Sequence, residues 1–314
     1  MKRSLLFVLL AIALTYAVRE LEYAGVRRNK QGEFAKLREC FLEKNDYDML
    51  YLGSSRAESQ FHPGLIDSLT GLRSYNAGLL GATAPFMLTS LQGYLENSAA
   101  PKYVVLNIDY HSFSDNTDTI FQFARYFPYL SNKALYNGLQ ERDPRFCWFR
   151  ALPFYSMPYF NSRYLNAAIR GYSGTVSKYD TLHVRGYSPV MPVPRPDIDT
   201  FRLEPQRSEP PAIVMQSFDG IVRLCKTKNI RLIFVLSPLH RRQRESLLNE
   251  RELVAMLHRY AEKNQIPLLD YSQHPVGYKN ELFADPAHLS REGSLVFSRF
   301  FARDVLPFIE RRHK

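Results

Sequence analysis

Asp48-Met49-Leu50-Tyr51-Leu52-Gly53-Ser54-Ser55-Arg56 is the stretch on which the reading of the fold turns. Its apolar run is too short for a helix and is closed by a glycine and polar residues, so it reads as a buried strand that stops at a turn. Upstream, the polar segment from about Glu33 to Lys44 reads as a helix. Downstream, Arg73-Ser74-Tyr75 is a second candidate strand. It runs into Asn76-Ala77-Gly78-Leu79-Leu80-Gly81-Ala82-Thr83, after which Met87, Leu88, Leu91 and Leu95 recur at helical spacing. Tyr103 to Ile108 reads as the next strand. Later, Val214, Phe218, Ile221, Val222 and Cys225 mark a helix face, Ile230 to Leu236 a strand, Leu253 to Lys263 a helix and Ile266 to Leu269 a last strand. Short apolar strands alternating with helices predict an α/β fold with a parallel sheet. From Phe113 to about Pro211 the periodicity dissolves into aromatic and proline-rich sequence, which predicts a large insertion or lid.

The 314 residues are 45% hydrophobic and 23% charged, with 15 Gly and 19 Pro. That balance excludes a disordered, collagen-like or polytopic membrane chain. The formal charge of 41 − 31 = +10 is spread over local clusters, among them Arg27-Arg28 and His240-Arg241-Arg242-Gln243-Arg244, so nucleic acid is not an expected partner. The default reading of the second cluster is a solvated loop, with lipid head groups or an acidic glycan as the alternative. Cys40, Cys147 and Cys225 match no metal-ligand spacing and no disulfide framework. No metal or organic cofactor is implied.

Met1-Lys2-Arg3 precedes an uncharged run of 15 residues, Ser4 to Val18, the pattern of an export signal. As a helix this run reaches about 22 Å, short of the roughly 30 Å hydrocarbon core. We expect an N-terminal membrane anchor over about residues 1–20 with the remainder, 21–314, extracytoplasmic, or a secreted or periplasmic protein if Thr15-Tyr16-Ala17 is a cleavage site.

In open α/β sheets ligands bind beyond the carboxyl ends of the strands. Ser54-Ser55-Arg56, Asn76, Asp109-Tyr110-His111, Ser237 to His240 and Asp270 all fall on that edge. Near the end stands Phe283-Ala284-Asp285-Pro286-Ala287-His288-Leu289-Ser290, followed by an amphipathic helix with Val296, Phe300, Phe301, Val305 and Phe308 expected on its inner side. Three residues apart in a turn, Asp285 can reach Nδ1 of His288 and leave Nε2 to take a proton from a hydroxyl. A serine needs such a base to become a nucleophile, and a neighbouring glycine lets amides approach the developing oxyanion. Ser55, just past Gly53 at a strand end, meets that need. Each piece alone has a plain reading as a helix cap or turn residue.

As a set, these blocks resemble the SGNH (GDSL-like) hydrolase superfamily. Gly53-Ser54-Ser55 is similar to its first block, with Ser55 at the nucleophile position. Asn76 to Thr83 is similar to the second block, with Gly81 at the oxyanion glycine. Asp285-Pro286-Ala287-His288 matches the last block, completing a triad. The third block departs: Asp109-Tyr110-His111-Ser112 stands where the family has Gly-x-Asn-Asp, leaving His111 and Tyr110 as candidates to replace the missing donor. The resemblance implies a three-layer, flavodoxin-like sheet flanked by helices. It also implies an oxyanion hole built from the Ser55 and Gly81 amides.

The Gly-Ser-Ser-Arg form, export signal and insertion look most like the extracytoplasmic branch associated with O-acylation of surface polysaccharides, including alginate O-acetylation and teichoic-acid D-alanylation proteins. That resemblance implies a serine esterase or O-acyltransferase using a cell-surface glycan or acyl donor, beside an integral-membrane O-acyltransferase. The alternative is a catalytically silent adaptor that binds a glycan or that membrane partner. Arg56, Asn76 and Tyr110 are the candidates for substrate contact, Arg56 having a salt bridge to Glu58 as its competing role. The dense Tyr and Phe between Phe121 and Tyr172 read first as packing and second as a sugar-stacking surface.

Overall fold

The computed structural model describes residues 2–30, 32–113, 120–176, 182–190 and 198–310, apart from the side chain of His111. The fold is α/β. Strands β1 (Met49–Leu52), β2 (Ser74–Asn76), β3 (Tyr103–Asn107), β4 (Arg231–Leu236) and β5 (Leu268–Asp270) form one sheet in the order β2-β1-β3-β4-β5. Every pairing is parallel. This is the doubly wound order of flavodoxin-like sheets, whose direction of winding reverses between β1 and β3.

Helices α1 (Lys2–Arg28) and α2 (Gly32–Phe41) precede the sheet; α3 (Ser55–Gln60), α4 (Pro63–Thr70) and α5 (Ala84–Asn97) follow β1 and β2. After β3 come α6 (Lys133–Arg142), α7 (Phe146–Ala151), α8 (Pro153–Ser156) and α9 (Ser162–Ser173). Helix α10 (Ala212–Thr227) leads into β4, α11 (Arg241–Glu245) and α12 (Glu250–Asn264) lead into β5, and α13 (Arg291–Val305) closes the fold.

The chain forms two compact units. One comprises Asn45–Leu91, Ser98–Thr117 and Leu182–Lys314 and contains the whole sheet; the other comprises Met1–Lys44, Gln92–Asn97 and Asp118–Thr181. The sheet unit therefore starts at Asn45, and the proline-rich stretch expected as insertion divides between the two. Residues 182–190 lie along the sheet unit, with the Asn76 amide donating to Arg185 O at 2.9 Å and the Ser188 amide to Glu58 O at 3.1 Å.

Because strand side chains alternate, Met49, Tyr51, Tyr103, Val105, Ile233 and Val235 share one face, buried with Phe61, which caps α3, and with Phe297 and Phe301 from α13. Tyr51 stacks on Phe61, and Phe61 meets Phe301 edge-on, both at 5.0 Å between centroids. On the other face Phe234 contacts Phe218 of α10 and stacks on Tyr260 of α12.

The inner side of α13 differs from expectation. Phe297, Phe301, Ala302 and Val305 are fully buried, Val296 and Phe300 only partly, and Phe308 lies beyond the helix in a 3-10 turn and is exposed. The buried stripe includes Gly293, Ser294 and Ser298, small residues that let the helix approach other backbone: a Cβ on Gly293 would fall 1.9 Å from Leu282 O. Small residues in close approach share this face with the rings of Phe297 and Phe301, so hydropathy spacing mislocates it.

In the other unit the aromatic residues pack chiefly on one another. Phe127, Phe146 and Phe149 are buried, and Phe127 and Phe149 lie 4.6 Å apart. The three cysteines are free.

Candidate active site

Strand β1 delivers Gly53, Ser54 and Ser55 to the carboxyl edge at the point where winding reverses. Gly53 has φ +151°, and a Cβ there would meet Ala57 Cβ at 2.6 Å and Asn107 O at 3.0 Å, so the sharp exit into α3 requires glycine. Ser54 caps α3: its Oγ accepts from the Arg56 amide at 3.3 Å and donates to the Asp109 carboxylate. Ser55 is the first helical residue, so its N–H has no intrahelical acceptor.

The loop 284–288 is held by its flanks. Phe283 and Leu289 are fully buried and bridged to each other, and the Ala284 amide donates to His288 O at 2.9 Å. Ser290 caps α13 by accepting from the Gly293 amide at 3.1 Å. Within the loop, Asp285 Oδ1 accepts from the amides of Ala287 at 2.8 Å and His288 at 2.9 Å. The same carboxylate faces His288 Nδ1, at 2.9 Å from Oδ2 and 3.0 Å from Oδ1.

Across 233 residues of sequence, Ser55 Oγ lies 2.8 Å from His288 Nε2. A carboxylate only accepts, so Nδ1 carries the hydrogen and Nε2 is left to accept the serine proton. Burial acts to raise the Asp285 carboxyl, but the His288 ring and the two amides outweigh it and hold the group below its ordinary range. The arrangement is a hydroxyl, a base and an anionic orienter in one relay, and it is half-buried, with the His288 side chain 23% exposed.

The second block lies against this segment. Leu79 N donates to Gly53 O at 3.0 Å and Leu80 N to Glu58 Oε2 at 3.0 Å. Gly81 has φ +74°, and its amide makes no hydrogen bond among the described residues. Asn76, expected as a substrate contact, is instead internal: its Nδ2 donates to Ala57 O and Phe61 O, both at 2.8 Å, and its Oδ1 accepts from the Gly78 amide at 3.0 Å. Fully buried, it fixes the exit of α3 and the start of the Gly81 loop.

At the third block, Asp109 takes both neighbours: Oδ2 accepts from Ser54 and Oδ1 from the Ser112 amide at 3.0 Å. As a carboxylate it offers no donor. The His111 side chain lies outside the described residues. The Tyr110 hydroxyl donates to Glu250 Oε1 at 3.3 Å, and burial followed by the Glu250 charge pushes this phenol upward.

Arg56 is buried and donates through Nη2 to Ser237 O at 2.6 Å and Pro238 O at 2.9 Å. Backbone carbonyls carry no sequence signature, so this clamp was invisible beforehand. The cluster expected as a solvated loop is instead built in: His240 is fully buried and bonded to Asn280 Oδ1 at 2.9 Å, Arg242 donates to Phe201 O, and Arg244 donates to Ser272 O and pairs with Glu250. The His240 amide also donates to Pro286 O at 3.2 Å, tying the end of β4 to the triad loop. Asp270, at the end of β5, pairs with His258 Nε2 at 2.8 Å.

No protein-family model and no curated protein matches the chain. Among solved structures it is similar to a protein described as a G-D-S-L-family lipolytic protein from Desulfitobacterium hafniense, at 12% identity and TM-score 0.42, covering 81% of this chain and 97% of that one. It is also similar to a GDSL-like lipase from Bacteroides thetaiotaomicron, at 13% identity and TM-score 0.43, covering 91% and 100%. A protein described as an acylhydrolase from Bacteroides fragilis matches at 15% identity and TM-score 0.40, covering 87% and 94%. These likenesses are remote.

Proposed function

We propose that the chain is a serine ester hydrolase or acyltransferase of SGNH type. The observation that carries this reading is the relay from Ser55 Oγ through His288, 2.8 Å away at Nε2, to Asp285, 2.9 Å away at Nδ1. Ser55 attacks the ester carbonyl as His288 takes its proton, and the tetrahedral oxyanion is met by the Ser55 and Gly81 amides. His288 then protonates the departing alcohol, and water or a second hydroxyl resolves the acyl-enzyme. An oxyanion donor is typically worth about 2.7–4 kcal/mol, so a third block without an Asn donor implies modest turnover.

The substrate in this reading is an acyl ester of a cell-surface polysaccharide handled outside the membrane. The exposed apolar helix α1 and the resemblance of Gly53-Ser54-Ser55-Arg56 support it. An integral-membrane O-acyltransferase is the partner this reading implies. The departure at Asp109-Tyr110-His111-Ser112 favours the adaptor as second reading.

The test is release of p-nitrophenol from p-nitrophenyl acetate by the full chain in detergent, beside Ser55→Ala and His288→Ala, with fluorophosphonate labelling of Ser55. Turnover lost in both variants supports the hydrolase. A folded protein with no turnover and no label supports the adaptor.

A further inference from the structure

Beside the triad the sheet unit holds a cavity of about 340 Å³. Its lining includes Arg56, the residue after Ser55, and Ala287, which stands between Asp285 and His288. Asp109, Tyr110, Leu239 and Leu247 stand on the same wall, which is of mixed polarity. Arg56 spends only Nη2 on protein, on two backbone carbonyls. Its Nε is buried without a partner, and among the described residues Nη1 makes no hydrogen bond.

No carboxylate closes on this guanidinium. The Asp109 oxygens are taken by Ser54 and Ser112, and those of Asp285 by His288 and the Ala287 amide. Glu209, also on the wall, pairs with Arg207. Burial drives the Arg56 guanidinium down, only partly offset by the charges of Asp109, Tyr110 and Asp285. A buried cation without a carboxylate partner is unfavourable, and the planar fork of arginine matches a carboxylate.

We propose that this cavity is an anion subsite of the active centre, in which Arg56 receives a carboxylate borne by the substrate next to its ester. This deepens the hydrolase reading, and its substrate half rests on that reading; binding of the anion does not.

The test is thermal unfolding of the full-length Ser55→Ala protein in detergent with monomethyl glutarate or dimethyl glutarate. The half-acid is expected to raise the Tm, the diester to leave it unchanged, and Arg56→Met to abolish the difference. Equal effects of the two compounds, which need no variant to compare, overturn the subsite. With wild-type protein, kcat/KM for p-nitrophenyl hemiglutarate should exceed that for its methyl ester by about tenfold or more, and Arg56→Lys should lower that ratio. A Tm response without turnover of either ester leaves the subsite standing and removes the hydrolase. Equal turnover with no Tm response does the reverse.

A second inference comes from the other unit. Along α1, Leu5, Phe7 and Leu14 are 62%, 73% and 66% exposed, and packing begins only at Arg19. There Tyr16 Oη donates to Ala151 O at 2.6 Å and Arg19 Nη1 to Arg150 O at 3.2 Å, fixing the corner between α7 and α8 to the helix. That corner carries Trp148 and Phe154, 53% and 58% exposed, with Tyr155 beside them. The bare apolar run is about 8 Å shorter than a hydrocarbon core, and exposed Trp and Tyr are the side chains that favour the membrane interface.

We infer that the Trp148–Phe154 corner lies in the interfacial layer of the bilayer that α1 enters, completing its short span. Trp148 is the single tryptophan, so its fluorescence reports on this corner alone. In vesicles of brominated phosphatidylcholine the full chain should lose more than about half of that emission and resist quenching by iodide. A chain that floats with the vesicles but is quenched by iodide and not by bromine overturns the inference, as does a chain that does not float.

Discussion

In the sheet unit, polar side chains gather where β1 and β3 end and culminate in Ser55, His288 and Asp285; in the unit built on α1, α2 and α6–α9, rings gather on rings. The contrast is sharpest between two buried arginines. Arg125 is 1% exposed, pairs with Glu33 at 2.7 Å and bonds the Tyr126 hydroxyl. Burial acts to lower it, yet Tyr126 and Glu33 outweigh burial and leave it raised. Arg56 is equally hidden but meets only carbonyls, and burial wins. A buried cation with its acid in place is part of a scaffold. One with no acid bonded to it, beside the candidate nucleophile, is open to a ligand.

The largest effects that would break this contrast are on turnover. Ser55→Ala or His288→Ala should each cut kcat by about 10⁴–10⁶-fold, and the double variant should be no worse than either, as residues acting as one unit behave. Asp285→Asn should cost about 10⁴-fold by allowing the wrong tautomer. Additive losses in steady-state kinetics would sink the relay.

The next effects are on stability. Phe301→Ala in the sheet core and Phe149→Ala in the aromatic cluster should each lose about 3–5 kcal/mol in denaturant unfolding, because both rings are fully buried. A loss under about 1 kcal/mol for Phe149 would mean that the rings are a surface feature and not a core.

Ser54→Ala removes the α3 cap and one partner of the buried Asp109 carboxylate. About 1–3 kcal/mol of destabilisation is expected in the same assay.

The smallest effect is the acid limb. The Asp285 carboxyl is depressed in the fold, so its contribution is fully present above the unfolded value of about 3.9 and is lost as pH falls through the lower folded value. Asp285→Asn should flatten the fall of Tm below about pH 4. An unchanged slope there would show that the pair with His288 does not hold the carboxylate.

Strands β1, β3 and β4 were legible as short apolar runs because burial on both faces keeps their interiors apolar; β2, Ser74-Tyr75-Asn76, is polar in sequence and was placed by the turn that follows it. Ser55, Asp285 and His288 were legible only as a set: each alone reads as a cap or turn residue, and their order and placement at strand ends carried the resemblance that singled them out. Asn76 was misread: a buried amide satisfied by four backbone groups has the same letter as a substrate contact. His240 and its arginines looked solvated because the carbonyls and acids that receive them come from distant parts of the chain.

By itself the sequence determined the alternation of strands and helices, which follows from local periodicity and side-chain type, and named the three residues of the relay through the resemblance of its blocks taken together. Only the tertiary structure decided that Ser55 and His288, 233 residues apart, meet at 2.8 Å, that α13 turns its small residues inward, and that Arg56 lines a cavity with no carboxylate bonded to it. Those outcomes depend on which backbones pack close enough to touch and which polar groups find partners there, and no local pattern encodes either.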